Sequence, residues 1–144
     1  MPAGFAEVSS KVAQRCSELS HAGSLDPSHA EVGTGTAGKV SAGEFVRIQL
    51  RVRCERIMEA RFKAFGCSGS IASASLVSEW AEGKTLEEAD SIRASDLAAQ
   101  LELPAERRHC SSLAAEALHG AIRNYREKHR LGEKLNSMVN MGGR

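Results

Sequence analysis

Two cysteines, one histidine and one glutamate carry the chemistry this sequence can offer: Cys67, Cys110, His109 and Glu44. Cys67 stands at the Gly66-Cys67 break in FKAFGCSGSIASASLVSEW, between a strand-like stretch and a helix of small residues. A thiol at such a break either packs under the turn or serves as a ligand. His109 and Cys110 are adjacent in the first turns of a helical pattern, where the positive end of the helix dipole favours thiolate over thiol. Thiolate is the form that ligates metals or attacks sulfur. Two sulfurs, an imidazole and a carboxylate can complete a tetrahedral zinc site. The same set can hold iron, although iron–sulfur clusters usually take four thiolates. The spacing does not choose between the metals, nor between a ligand role and plain core packing.

These residues come together only if the surrounding elements bring them. From Glu44, Val46, Ile48, Leu50 and Val52 alternate with Arg47, Gln49, Arg51 and Arg53. That period of two marks a half-buried strand with a basic, solvated outer face. Cys54-Glu55-Arg56 reads as a turn, and a second strand follows over Ile57–Phe65 with Met58, Ala60, Phe62 and Ala64 on one face. A hairpin folded about Glu55 pairs residues whose numbers sum to 110. Glu44 then lies opposite Gly66, and Ala42 opposite Ser68. Cys54 is at the far end, on the order of 30 Å from Glu44 at about 3.3 Å per residue.

After Cys67, Ile71, Ala74, Ser75, Leu76 and Ala81 keep a helical beat, with Gly83 as its stop. Thr85 and Glu88 match a capping box, Ser95 is a candidate cap for a short helix through Leu101, and Pro104 suits a first helical position. A last long helix is expected from about Ala105 to Lys128, with Leu113, Ala114, Ala117, Leu118, Ala121, Ile122 and Tyr125 as its apolar stripe. His109 and Cys110 extend that stripe towards the N-terminal end. Upstream, residues 6–20 show helical spacing with Cys16 on the apolar side, and residues 21–43 read mostly as loop, with a short strand near Glu31–Thr36. GTGTAGK at 33–39 lacks the spacing of a phosphate loop. Residues 129–144 read as a mobile tail after a domain spanning 1–128.

The composition narrows the classes. A chain of 144 residues, 42% apolar and 26% charged, is long enough for one domain with a real core. A formal net charge of +1 and 4% aromatics give no footprint for nucleic acid or a membrane surface. No run approaches the roughly 20 apolar residues of a membrane span. MPAGFAEVSS lacks the regions of a signal peptide, so a cytoplasmic location is expected, with free, metal-binding or reactive cysteines rather than disulfides.

Three segments resemble the IscU/NifU-type scaffold proteins of iron–sulfur cluster assembly: VGTGTAGKVSAGE (32–44), ARFKAFGCSGSIASASLVSEWAEGKTLEEA (60–89) and LPAERRHCSSLAAEAL (103–118). The resemblance runs from about residue 6 to 128. It implies an α+β fold of the SufE/NifU-like kind, with a small three-stranded antiparallel sheet and helices packed on one face. It also implies a non-enzymatic carrier that builds a [2Fe-2S] cluster from iron and from persulfide sulfur supplied by a cysteine desulfurase. The cluster then passes to apo iron–sulfur client proteins, often with a chaperone pair.

Carried over residue by residue, Cys67, His109 and Cys110 match the family's second cysteine, histidine and third cysteine. Cys110 is the expected persulfide acceptor, and Glu44, Cys67, His109 and Cys110 the expected metal ligands. The chain departs from the pattern at the first cysteine, where CGD is replaced by Ala42-Gly43-Glu44. One thiolate is therefore missing at Ala42, and glutamate replaces aspartate. The chaperone-recognition motif reads Leu103-Pro104-Ala105-Glu106-Arg107, so partner contacts are expected at Leu103, Pro104 and Arg107. The alternative is a degenerate scaffold, zinc-bound or metal-free, that acts as an interaction module for the desulfurase or a client. A hydrolase using zinc-bound water would need an open coordination position and a base, and the family does not work that way.

Overall fold

The computed structural model describes the backbone of residues 21–142 and the side chains of residues 21–131. The helix expected over 6–20, with Cys16, lies outside the described residues. Strands β1 (Val32–Lys39), β2 (Glu44–Arg53) and β3 (Arg56–Phe65) form one antiparallel sheet in the order β1-β2-β3. Four α-helices follow: α1 (Ser68–Ala81), α2 (Leu86–Asp90), α3 (Ala94–Leu101) and α4 (Arg108–Gly142). The expected α+β fold is therefore present. Among the described residues no helix is long and apolar enough to cross a membrane.

The β2–β3 hairpin has the expected register, Phe45 opposite Phe65 through Arg51 opposite Glu59. Beyond Arg51 a bulge shifts the pairing, so Val52 meets Ile57. The bulge buries Ile57 and turns Met58, expected on the face of Ala60 and Phe62, out to 46% exposure. Cys54 and Glu55 both take positive φ, 52° and 63°, as a two-residue hairpin turn requires. Val46, Ile48, Leu50 and Val52 are fully buried beneath the helices.

The outer sheet face is less open than alternation implies. The backbone at 21–23 runs along the free edge of β3, through Phe62 N–H to His21 O and Gly23 N–H to Phe62 O, both 3.0 Å. It then crosses the outer face, where the Gln49 amide donates to Leu25 O at 2.9 Å and accepts from Leu25 N–H at 2.8 Å. Gln49 is thus buried, and its polar ends are satisfied. Arg51 and Arg53 are paired with Glu59 and Glu31, which compensates that part of the basic stripe, while Arg47 bonds the Ser24 hydroxyl.

The segment expected to be mostly loop holds β1 in full, because its glycines admit a helix backbone. A Cβ at Gly33 would collide with the Ala121 carbonyl, and one at Gly35 with the Ala117 carbonyl and the Ala121 amide. Gly120 faces Gly35 across the contact. Polar bonds lock this approach: Thr34 N–H donates to Asn124 Oδ1 at 3.0 Å, and Lys128 Nζ to Val32 O at 2.9 Å.

Helix ends differ from expectation in three places. The Thr85–Glu88 capping box forms, with bonds of 2.9 and 3.1 Å. Ser95, in contrast, lies inside α3; Arg93 is the N-cap, and its N–H bonds Asp96 Oδ2 at 3.2 Å. Pro104 precedes a 3-10 turn (Ala105–Arg107), so α4 begins at Arg108 and its first turn contains His109 and Cys110. The same helix runs past Lys128 to Gly142, through the stretch expected to be a tail.

Because backbone, not a pliant side chain, occupies the space over Gly35, Gly35→Ala should cost about 3 kcal/mol, the upper range for overpacking. Urea unfolding measures this. A loss within about 0.5 kcal/mol, as at an ordinary surface site, would show that α4 does not depend on the contact.

Candidate functional site

The site lies where four element ends meet: the start of β2, the β3–α1 junction, the N-terminus of α1 and the first turn of α4. Glu44 opens β2 immediately after the 3-10 turn Val40–Ala42, which closes on Gly43 through Gly43 N–H to Val40 O at 2.9 Å. Gly66, at φ 137°, carries the chain past Glu44; a Cβ there would lie 3.0 Å from Gly43 O and 3.1 Å from Glu44 Cγ. This close pass delivers Cys67 as the N-cap of α1. The glycine contact of α4 on β1 brings Cys110 in from the other side.

The resulting distances are short. Cys67 Sγ and Cys110 Sγ are 3.2 Å apart. Glu44 Oε1 lies 3.0 Å from His109 Nε2 and 3.7 Å from Cys67 Sγ. Cys110 Sγ is 3.7 Å from His109 Nε2. Ligand atoms of Glu44, His109 and Cys110 all fall within 4.8 Å of one another, the spacing of a metal-binding group. Cys67 joins this set through Glu44 and Cys110. The donors are two sulfurs, one imidazole nitrogen and one carboxylate oxygen, which suit zinc or iron.

Burial divides the four. Cys110 is fully buried, Cys67 half-buried, and the His109 side chain 54% exposed. Cys110 continues the apolar stripe of α4 as expected. His109 does not: it points outward and covers the thiols from the solvent side with Glu44.

The thiols also divide their proton in a way the helix dipole did not foretell. Burial pushes the Cys67 thiol up, but the hydrogen bond from Cys110 and bonds from the Ser70 and Gly69 amides outweigh it, and its pKa falls below 9.0. Burial and the bond to Cys67 instead push Cys110 up to about 12. Cys67 is therefore the first of the two to ionise, and Cys110 keeps its proton and donates it to the Cys67 sulfur when it does. Its position in a helical first turn favours thiolate, but burial beside a second sulfur wins. The Glu44 carboxylate raises the His109 pKa above 6.5.

The remaining expected residues fall nearby. Ala42 is exposed in the turn before Glu44 and offers no ligand atom. Leu103 is 7% exposed and belongs to the core, whereas Pro104 and Arg107 are half-buried at the surface. Cys54 is exposed at the hairpin tip, remote from the site as expected. Sequence reasoning passed over Gly69 and Ser70, which sit under the sulfurs; their place two and three residues after the N-cap cysteine was the available signal.

Comparison with known proteins is consistent across sequence and structure. The family model described as NifU-like N terminal domain matches residues 7–131. The chain is 43% identical over 121 residues to the iron-sulfur cluster assembly scaffold protein IscU of Escherichia coli K12, covering 83% of this chain and 94% of that one. It is 45% identical over 106 residues to the iron-sulfur cluster assembly protein IscU of Plasmodium falciparum, covering 74% and 65%. Its fold is similar to that of a putative SUF-system scaffold protein from Fervidobacterium islandicum, with TM-score 0.66 and 18% identity, covering 82% of this chain and 98% of that one.

Two outcomes follow from the proton assignment. Limiting iodoacetamide at pH 8 should modify Cys67 well before Cys110, read by peptide mass spectrometry; Cys110 reacting first would reverse the assignment. The raised His109 pKa means that its pairing with Glu44 stabilises the fold fully below pH 6.5 and is lost as pH rises through the raised value. In Glu44→Gln, the His109 NMR titration midpoint should fall back towards 6.5, and an unchanged midpoint would remove Glu44 as the cause.

Proposed function

The chain belongs to the IscU/NifU family, and from that premise we propose that it is an iron–sulfur cluster assembly scaffold. It would collect iron and sulfur at the Glu44–Cys67–His109–Cys110 edge, hold them as a [2Fe-2S] cluster or its precursors, and release them to apo-proteins. It is a carrier rather than a catalyst, acting in the cytoplasm. The observation that carries this reading is the convergence of two sulfurs 3.2 Å apart with a carboxylate and an imidazole over them. Iron and the cluster are cargo here, so a site that binds and also releases is what the function needs.

Sulfur would arrive from a cysteine desulfurase as a persulfide. Cys110 attacks the terminal sulfur, a new S–S bond forms on Cys110, and the desulfurase cysteine leaves as thiolate. Cys110 must first lose its proton, and the Cys67 sulfur, the more acidic of the two thiols, lies 3.2 Å away to take it when ionised. The Glu44–His109 pair must swing aside for the donor, which a pair with its histidine open to solvent permits at little cost. A chaperone pair would meet Pro104 and Arg107, with Leu103 held in the core beneath them.

A second reading is favoured by Ala42. With one thiolate absent, the two-sulfur, nitrogen and oxygen set accommodates zinc more readily than a four-ligand cluster site. The chain would then dock on the desulfurase or a client as a zinc-bound or metal-free module.

Anaerobic reconstitution with ferrous iron, cysteine and a desulfurase tests the proposal. Visible sulfur-to-iron charge-transfer absorption and a sulfur adduct on the Cys110 peptide are expected. Cys67→Ser should slow adduct formation by about 100-fold if Cys67 acts as the base. Ala42→Cys should lengthen the cluster lifetime. Tight desulfurase binding with neither absorption nor adduct would replace the scaffold reading with the second one.

A further inference from the structure

We infer that Ser70 is a positioning residue for the sulfur pair, its buried hydroxyl serving as the hydrogen-bond donor to the sulfurs that hold the cargo. The inference rests on the reading of Cys67 and Cys110 as ligands and adds a residue that reading does not contain.

Ser70 is fully buried in the first turn of α1. Its backbone is already engaged, because Ser70 N–H donates to Cys67 O at 3.0 Å and closes that turn. Its hydroxyl is a separate polar group, and a buried hydroxyl without a partner costs about 1–3 kcal/mol. The partner it finds is a sulfur: Ser70 Oγ lies 3.7 Å from Cys67 Sγ, which is itself 3.2 Å from Cys110 Sγ. By contrast, the hydroxyl of Ser78 in the same helix bonds the carbonyl one turn back, Ala74 O at 2.8 Å. Ser70 does not follow that habit.

Room for this arrangement comes from Gly69. A Cβ at that position would sit 3.1 Å from Cys110 Sγ and 3.6 Å from Cys67 Sγ. The first turn of α1 thus forms the floor of the site, open at Gly69 so that both sulfurs can settle, with Ser70 supplying the donor. Half-buried Glu44 and exposed His109 cover the opposite side. With no thiolate at position 42, two sulfurs bear the charge that three would share. A donor to sulfur withdraws part of that charge and tunes the bound metal.

Cobalt(II) binding to the whole chain provides the test without any cluster chemistry. The wild type should show a near-ultraviolet thiolate-to-cobalt charge-transfer band. In Ser70→Ala that band should move to longer wavelength, because sulfur lone pairs lose the donor that lowered their energy. Ser70→Thr, which restores a hydroxyl, should return the band to its wild-type position. A purely structural role predicts an unchanged band with a lowered melting temperature, whereas a hydroxyl with no role predicts an unchanged band and, since alanine is the better helix former, an unchanged or raised one. Superimposable wild-type and Ser70→Ala bands would overturn the inference while leaving Cys67 and Cys110 as ligands. So would a Ser70→Thr band displaced as far as that of Ser70→Ala. Absence of any thiolate band in the wild type would remove the ligand reading and this inference with it.

Discussion

The backbone of α4 rests directly on β1 at Gly33 and Gly35, and the rest of the molecule is arranged around that contact. Side chains at either position would hold the helix off the sheet. Without them the helix axis comes close, Gly120 faces Gly35, and Asn124 and Lys128 bind backbone groups of the strand. The position of α4 along β1 is thereby fixed at several points. Since α4 begins at Arg108, fixing the helix fixes His109 and Cys110 in its first turn. A packing constraint far along the helix sets a distance of 3.2 Å between sulfurs at its start.

The second constraint is electrostatic. A buried pair of thiols cannot readily carry two negative charges, so one proton stays between them. Cys67 is less buried and receives the amides of Ser70 and Gly69, whereas Cys110 has burial against it and a sulfur anion beside it. The proton of the singly ionised pair therefore rests on Cys110. A cation arriving at the site would favour the second ionisation, which is how binding and deprotonation of thiols are normally linked. The exposed imidazole and the half-buried carboxylate add a cover that can open.

Much of this was legible in the sequence. A strict alternation from Val46 to Val52 and a turn at Cys54-Glu55 set a hairpin register that holds from Phe45 to Arg51. That register alone puts Glu44 beside Gly66 and hence Cys67. Thr85 and Glu88 announced their capping box by type and spacing. What escaped depends on contacts distant in sequence. The bulge after Arg51 moved Ile57 inward and Met58 outward, and no residue type there signals it. Gln49 is buried because residues 21–25 return across the sheet, a long-range event. Gly33 and Gly35 fell in the short strand expected near Glu31–Thr36, but its full length to Lys39 depends on the helix lying on them. His109 and Cys110 seemed alike on a helical wheel, yet the 3-10 turn before Arg108 and the edge position separate them into cover and core. The protonation order depended on relative burial, which a dipole argument from sequence cannot supply.

The proposed site is one coordination sphere built from two thiolates, one imidazole and one carboxylate, with Ala42 outside it. X-ray absorption at the zinc edge, on protein loaded with one equivalent of zinc, measures that sphere most directly. The account requires a four-coordinate metal with two sulfur scatterers at about 2.3 Å and two nitrogen or oxygen scatterers at about 2.0 Å. A shell of nitrogen and oxygen alone would contradict it, because Cys67 and Cys110 would then be packing partners rather than the ligands around which the site is built.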